Sequence, residues 1–153
     1  MALLADLAAR FPQAVFFTSH GQDVVRLERG DLVPFVAAAR EIGFDLFIDL
    51  CAVDYLTRRP NRFELVVNIV SVGQERRLRI LVGIPGDDPL VPSLTGVFAG
   101  ANFYEREAYD LFGIRFDGHP DLTRILLPDD WRGHPLRKDS PVGSVPVQFK
   151  EAP

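Results

Sequence analysis

The sequence predicts an α+β fold: a two-layer domain with helices on one face of a mixed β-sheet, followed by a short helix and a long extended C-terminal segment. Three observations predict it. Three of the 12 prolines (Pro12, Pro34, Pro60) precede residue 85 and nine lie from Pro85 onward, and proline removes a backbone donor and fixes φ, so regular structure should concentrate in the first half. Within that half, apolar residues at helical and alternating spacing succeed one another in the order α-β-β-α-β-β-β, which places both helices on one face of the sheet. A chain of 153 residues, 47% of them hydrophobic and 25% charged, has the size and composition of one globular domain.

Leu3, Leu4, Leu7 and Ala8 give an amphipathic helix over Leu3–Arg10. A strand follows at Ala14–Thr18, a turn at His20, Gly21 and Gln22, and a second strand at Asp23–Glu28, where Val25 and Leu27 alternate with Val24, Arg26 and Glu28. Asp31 stands at the cap position of a helix whose Leu32, Phe35, Val36, Ala39 and Ile42 share one face and which Gly43 ends. Strands at Phe44–Val53, Phe63–Val72 and Arg77–Ile84 are separated by a polar loop and by the turn Gly73, Gln74, Glu75. Ser93 opens a short helix, Leu94–Ala99. Asn102 and Glu105 have capping-box spacing for a last helix, Phe103–Phe112, and Gly113 sits where a left-handed cap belongs. The domain is therefore read as residues 1–113. Residues 114–153 lack any sustained period, and so long a stretch suits an extended strap across a second protein better than the inside of a compact domain.

Seventeen basic against 21 acidic residues give a net charge of -4, which offers no field for nucleic acid or an anionic bilayer. The single cysteine, Cys51, permits neither an internal disulfide nor a four-thiolate cluster, and its apolar neighbours make it a small buried hydrophobe in a reduced compartment. No basic leader opens the sequence and no run of about 18 apolar residues occurs.

The groups that could carry chemistry lie late in the chain. Glu105 falls on the apolar stripe of its helix, where a carboxylate needs a cap or a cation; a capping box or a partner arginine answers this more simply than a catalytic acid. Arg106 and Asp110 have the spacing of an exposed i, i+4 pair. His119 and His134, each between Gly and Pro, stand 15 residues apart, too far for a helical metal pair, and fit imidazoles that satisfy backbone groups in turns, with Asp129 and Asp130 shaping a turn after Pro128. Trp131 beside Arg132, Arg137, Lys138 and Asp139 has the composition of an interface anchor or of an indole folded on its own core. No phosphate loop, dinucleotide fingerprint or catalytic triad is present.

The segment Tyr104 to Ser140, YEREAYDLFGIRFDGHPDLTRILLPDDWRGHPLRKDS, resembles the signature of the C subunit of bacterial NADH-quinone oxidoreductase, respiratory complex I, with Phe103 and Ser140 standing where that family usually has Trp and Tyr. The resemblance implies a cofactor-free peripheral-arm subunit on the cytoplasmic side of the cell membrane, within a proton-pumping translocase whose FMN, iron–sulfur clusters and quinone lie elsewhere. It implies packing against the D subunit, which helps form the quinone pocket, near the B and I iron–sulfur subunits. It further implies no catalytic, cofactor or metal residue on this chain. An assembly surface would be built from Glu105, Arg106, Glu107, Asp110, Gly113, His119, Asp121, Arg124, Asp129, Trp131, Gly133, His134, Arg137, Lys138 and Asp139. In it Glu105 and Arg106 hold helix to sheet, the histidines fix turns, and Arg124, Trp131, Arg137 and Lys138 meet the partner. The same module resembles parts of energy-converting hydrogenases and coenzyme F420 dehydrogenases; a free metal-dependent enzyme using His119, His134 and nearby acids is the remaining reading.

Overall fold

A computed structural model describes residues 2–141; the end of the expected strap, residues 142–153, lies outside the described residues. The elements are α1 (Ala2–Arg10), β1 (Val15–Ser19), β2 (Gln22–Leu27), a 3-10 turn at Arg29–Asp31, α2 (Leu32–Glu41), β3 (Leu46–Asp54), β4 (Phe63–Ser71), β5 (Arg76–Ile84), β6 (Leu90–Pro92), α3 (Ala101–Phe112) and β7 (Arg115–Asp117). Five strands form one sheet in the order β1-β2-β5-β4-β3. Every neighbouring pair is antiparallel except β2 with β5, which makes the sheet mixed as the sequence predicts. His20 (φ 51) and Gly21 (φ 74) both occupy the left-handed region, the two-residue connection whose twist suits a tight hairpin.

Alternation along β4 and β5 buries Phe63, Leu65, Val67 and Ile69 beside Leu78, Ile80, Val82 and Ile84. Against them α2 sets Leu32, Phe35, Val36 and Ala39, all fully buried. The Phe35 ring meets Phe11 edge-on at 5.1 Å and Phe16 at 6.1 Å, which closes the core over the β1–β2 end. Helix α3 lies along β3, where Ala101 and Ala108 let the backbones approach, and Phe47 packs on Phe98 and Tyr104.

Several expectations need correction. Residues 94–99 form turns, not a helix: the amides of Val97 and Phe98 share the Leu94 carbonyl and the run stops there, with Gly96 and the β-branched Thr95 and Val97 in so short a stretch disfavouring a helix. Asp31 stands at the start of α2 but its side chain makes no cap bond. Helix α3 starts at Ala101 after Gly100, so Asn102 lies inside it and no capping box forms. Cys51 is exposed, since β3 is an edge strand and Cys51 pairs with Val66 on the sheet face away from the helices. The three-residue strands β6 and β7, parallel to each other, give no periodic signal in the sequence.

Replacing Phe35 by alanine removes the ring on which Phe11 and Phe16 close. The Phe35→Ala variant is expected to lose about 3–5 kcal/mol of unfolding free energy, read as a lower midpoint in urea denaturation with little change in slope.

Candidate functional site

The polar groups singled out in the sequence converge where residues 118–141 fold back on α3 and on the β3–β4 end of the sheet. Asp110, fully buried near the C-terminus of α3, is the centre of this region. Its Oδ2 accepts three consecutive amides, from Ile125 (3.1 Å), Leu126 (2.8 Å) and Leu127 (2.9 Å), and its Oδ1 accepts the Arg124 guanidinium at 2.6 Å. Burial alone would raise its pKa. The Leu127 amide, Arg124 and the other two amides outweigh that effect and hold the carboxyl below its usual range. Arg124 also donates to the carbonyls of Trp131 (3.0 Å) and Gly133 (3.2 Å), so one guanidinium ties α3 to the turn that carries the tryptophan.

The expected Arg106–Asp110 pair is not made. Arg106 instead donates to the carbonyls of Thr123 and Arg124, while Asp110 is wholly engaged by the residues that follow. The Asp110 carbonyl contacts His134 Nδ1 at 2.9 Å, and since a carbonyl can only accept, that nitrogen carries the proton. Gly113 caps α3 at φ 74; a Cβ there would come within 2.6 Å of His134 and Arg137 side-chain atoms. This close approach lets Arg137 Nε reach the Phe112 carbonyl at 2.5 Å. Gly133 (φ 83) and a Pro128–Trp131 turn through Asp129 and Asp130 shape the chain between. Trp131 itself is half-buried, and Asp129 and Glu107 are exposed.

A second fastening, which no local pattern of residues announces, joins residues 138–139 to the sheet. Asp54, at the end of β3 and 3% exposed, accepts the Leu56 amide (2.7 Å), the Lys138 amide (2.9 Å), and Arg62 through Nε (3.1 Å) and an NH2 group (2.9 Å). Arg62 makes a further two bonds to Asp139, at 2.9 and 2.8 Å. Burial pushes the Asp54 pKa up, but Arg62 and the two amides bring it down to about 2. Arg62 also holds Asp139 below the usual carboxylate range. The Arg137 guanidinium lies 5.5 Å from the Phe63 ring centroid, so three successive residues of the segment bear on the sheet.

Glu105 behaves differently. It is fully buried and meets no lysine or arginine among the described residues: Oε1 accepts the Leu94 amide and Oε2 the Ser93 hydroxyl, both at 2.6 Å. His119 Nε2 lies 4.0 Å from Oε2 and contacts the Asn102 carbonyl at 3.3 Å, while its Nδ1 accepts the Asp121 amide at 3.0 Å; these partners fix the Nε2–H tautomer. Burial raises the Glu105 pKa to about 7, with Ser93 and the Leu94 amide opposing. The hydroxyl network serves both ionisation states, because Ser93 Oγ also lies 2.7 Å from Thr95 Oγ1 and can turn its proton either way.

The residues brought together are thus held by backbone groups and by each other. Among the described residues, no three His, Cys, Asp or Glu side chains converge in a metal-binding cluster, and no helix is long and apolar enough to cross a membrane.

Residues 25–145 match the family model described as "Respiratory-chain NADH dehydrogenase, 30 Kd subunit". The C subunit of the NADH-quinone oxidoreductase of Roseiflexus sp. (strain RS-1) is 45% identical over 152 residues, spanning 96% of this chain and 87% of that protein. The solved trypsin-resistant fragment (1-134) of Nqo5 superposes with a TM-score of 0.71 at 36% identity, over 79% of this chain and 97% of the fragment. A chain of an archaeal membrane-bound sulfane sulfur reductase has the same fold, with a TM-score of 0.82 over 99% of this chain and 95% of that chain at 21% identity.

Two outcomes follow from the buried carboxylates. The Asp110→Asn variant leaves Arg124 without its counter-charge and is expected to lose about 3–5 kcal/mol, with residues 118–141 cut by protease before the sheet domain unfolds. Glu105 is more easily protonated in the folded chain than in the unfolded one, where its ordinary value is 4.5. Its contribution to stability is therefore fully present below pH 4.5 and is lost as the pH rises through about 7. At pH 8 the Glu105→Gln variant is expected to melt above the wild-type chain, by about 2–4 °C for each kcal/mol of ionisation cost removed. Below pH 4.5 the two melting curves should converge.

Proposed function

The chain belongs to the respiratory-chain NADH dehydrogenase 30 Kd subunit family, and from that membership we propose that it is a non-catalytic peripheral-arm subunit of a proton-pumping NADH:quinone oxidoreductase. In this reading it scaffolds the quinone-reducing module through the D subunit, near the B and I subunits, on the cytoplasmic side of the membrane. FMN, iron–sulfur clusters and quinone belong to the other subunits. The family match across residues 25–145 is the observation that carries the reading.

The disposition of the segment after residue 113 supports the scaffold role. Its polar groups are spent inward, on Asp110, Asp54 and the end of α3, and beyond Ile114 and Phe116, which are buried in the core, several of its apolar side chains face outward. Leu126 is 61% exposed and Leu136 51% exposed, and Phe103 on α3 is 61% exposed. Exposed apolar groups gathered on a chain held rigid from behind suit a partner's surface. Glu105, Arg106, Glu107, Asp110, Gly113, His119, Asp121, Asp129, Gly133, His134 and Asp139 would preserve the shape of that surface. Arg124, Trp131, Arg137 and Lys138 would border the partner, and the outer side of the chain that follows β7 would lie against it.

Affinity purification from detergent-solubilised membranes of the native host tests the assignment. A flavin- and iron–sulfur-containing assembly that reduces quinone with NADH is the expected result; a metal-loaded free chain would overturn it. In the same preparation, Trp131→Ala is expected to lower the recovered D subunit by about tenfold, as loss of an aromatic anchor does, without lowering the cellular level of the tagged chain.

A further inference from the structure

The sheet face turned away from the helices carries a second surface. Register places Val15 opposite Arg26, Phe17 opposite Val24, Val24 opposite Arg79, and Arg77 opposite Val70. These positions alternate with Val25, Ile80 and Val67 on the helix side and lie outside the core cluster, Val24 alone among them being buried. Val15 is 56% exposed, and Phe17 and Leu46 are exposed with it.

Charge on this face is uneven. Glu64 is met by Arg59 at 3.0 Å, by Arg26 at 3.9 Å and by the Tyr55 hydroxyl. Asp49 accepts the Asn68 amide at 2.6 Å. Arg79 Nε donates to the Asn68 amide oxygen at 3.3 Å, and Arg77, exposed, makes no ion pair among the described residues. Both arginines border a cleft of about 150 Å³ beside the β-bulge in β3, with Gln22, Ile48, Asp49 and Asn68 as further walls. The cleft therefore sets two guanidinium groups against one carboxylate, on a chain whose net charge is -4.

We propose that this open sheet face is a docking surface for an acidic segment of a neighbouring protein subunit, one carboxylate of which enters the cleft and is held by Arg77 and Arg79. The planar guanidinium fork matches a carboxylate and loses less hydration than an ammonium. The flanking Val15, Phe17 and Leu46 supply apolar contact that a protein surface answers and a free anion does not. The acidic balance of the whole chain disfavours an anionic bilayer or nucleic acid on the same face. The inference rests on the reading that the chain sits in a multi-subunit assembly, and it assigns that assembly a contact on the side opposite the C-terminal segment.

The test uses the chain's scarcity of lysine, which amounts to Lys138 and Lys150. Arg77→Lys and Arg79→Lys keep the charge and introduce a primary amine, which carbodiimide couples to a carboxylate in direct contact. The expected result, in the affinity-purified assembly, is a new cross-link from position 77 or 79 to an aspartate or glutamate of a different subunit. Cross-links confined to this chain, a cross-link to a second copy of it, or no new cross-link would overturn the proposal. An Arg77→Glu, Arg79→Glu double variant should lower retention of the chain in the assembly by about tenfold or more in high salt; retention equal to wild type would also overturn it. The protein composition of the assembly and its NADH oxidation are scored on the same sample. Loss of those with the cross-link kept counts against the complex assignment, while an intact complex without the cross-link counts against this surface alone.

Discussion

The first stretch of chain beyond β7 takes its place from one buried carboxylate. Asp110 sits near the end of a helix, away from water, and a charge in that position persists only if its hydrogen-bonding capacity is filled. Three amides in a row and one guanidinium fill it, all of them from residues 124–127. An irregular stretch of chain thereby acquires a fixed place without a strand or helix of its own. Arg124 passes the constraint on, since its second NH2 group binds the carbonyls of Trp131 and Gly133.

The fastening at Asp54 repeats the solution at the far end of the segment, with Arg62 shared between Asp54 and Asp139. Glu105 stands apart as a buried acid served by a hydroxyl and an amide and by no cation among the described residues. It joins α3 to the 93–95 turn, and Arg40, donating to the Val97 carbonyl and lying 5.2 Å from the Phe98 ring, ties the same turn to α2. Polar groups thus fix the turn and the segment against α3, whereas the sheet, α2 and the seat of α3 on β3 rest on apolar packing.

That division explains what could be read from the sequence. Alternation in Phe63–Ser71 and Arg76–Ile84, the apolar face of Leu32, Phe35, Val36 and Ala39, and the left-handed glycine at Gly113 are local signals, and the strands, helix and cap lie within a few residues of where they point. Polar partners at long range leave no such trace. Arg62 and Asp139 are 77 positions apart, and Asp54 and Lys138 are 84 apart. The spacing of Arg106 and Asp110 suggested a pair within the helix because their actual partners lie in a segment without periodicity. Asn102 and Glu105 misled for a related reason: the carboxylate of Glu105 serves the amide of Leu94, eleven residues back, in place of its own helix start. The family signature, Tyr104 to Ser140, takes in one member of each of these long-range pairs and leaves Asp54, Arg62 and Leu94 outside it.

The strand order β1-β2-β5-β4-β3 also governs how the domain can form. Strands β3, β4 and β5 are successive antiparallel neighbours, joined by short connections, and can pair as soon as they exist. Strand β2 must wait, because its partner β5 lies far along the chain: Asp23 aligns with Leu78, 55 positions later. Loop closure on that scale comes late and slowly compared with hairpin formation. During synthesis the β1–β2 hairpin therefore remains without its sheet until residue 84 has cleared the ribosome, and the clasps at Asp110 and Asp54 close later still. The surface formed by residues 118–141 is the last part to mature, so an incompletely made chain lacks the contacts that hold that surface in shape.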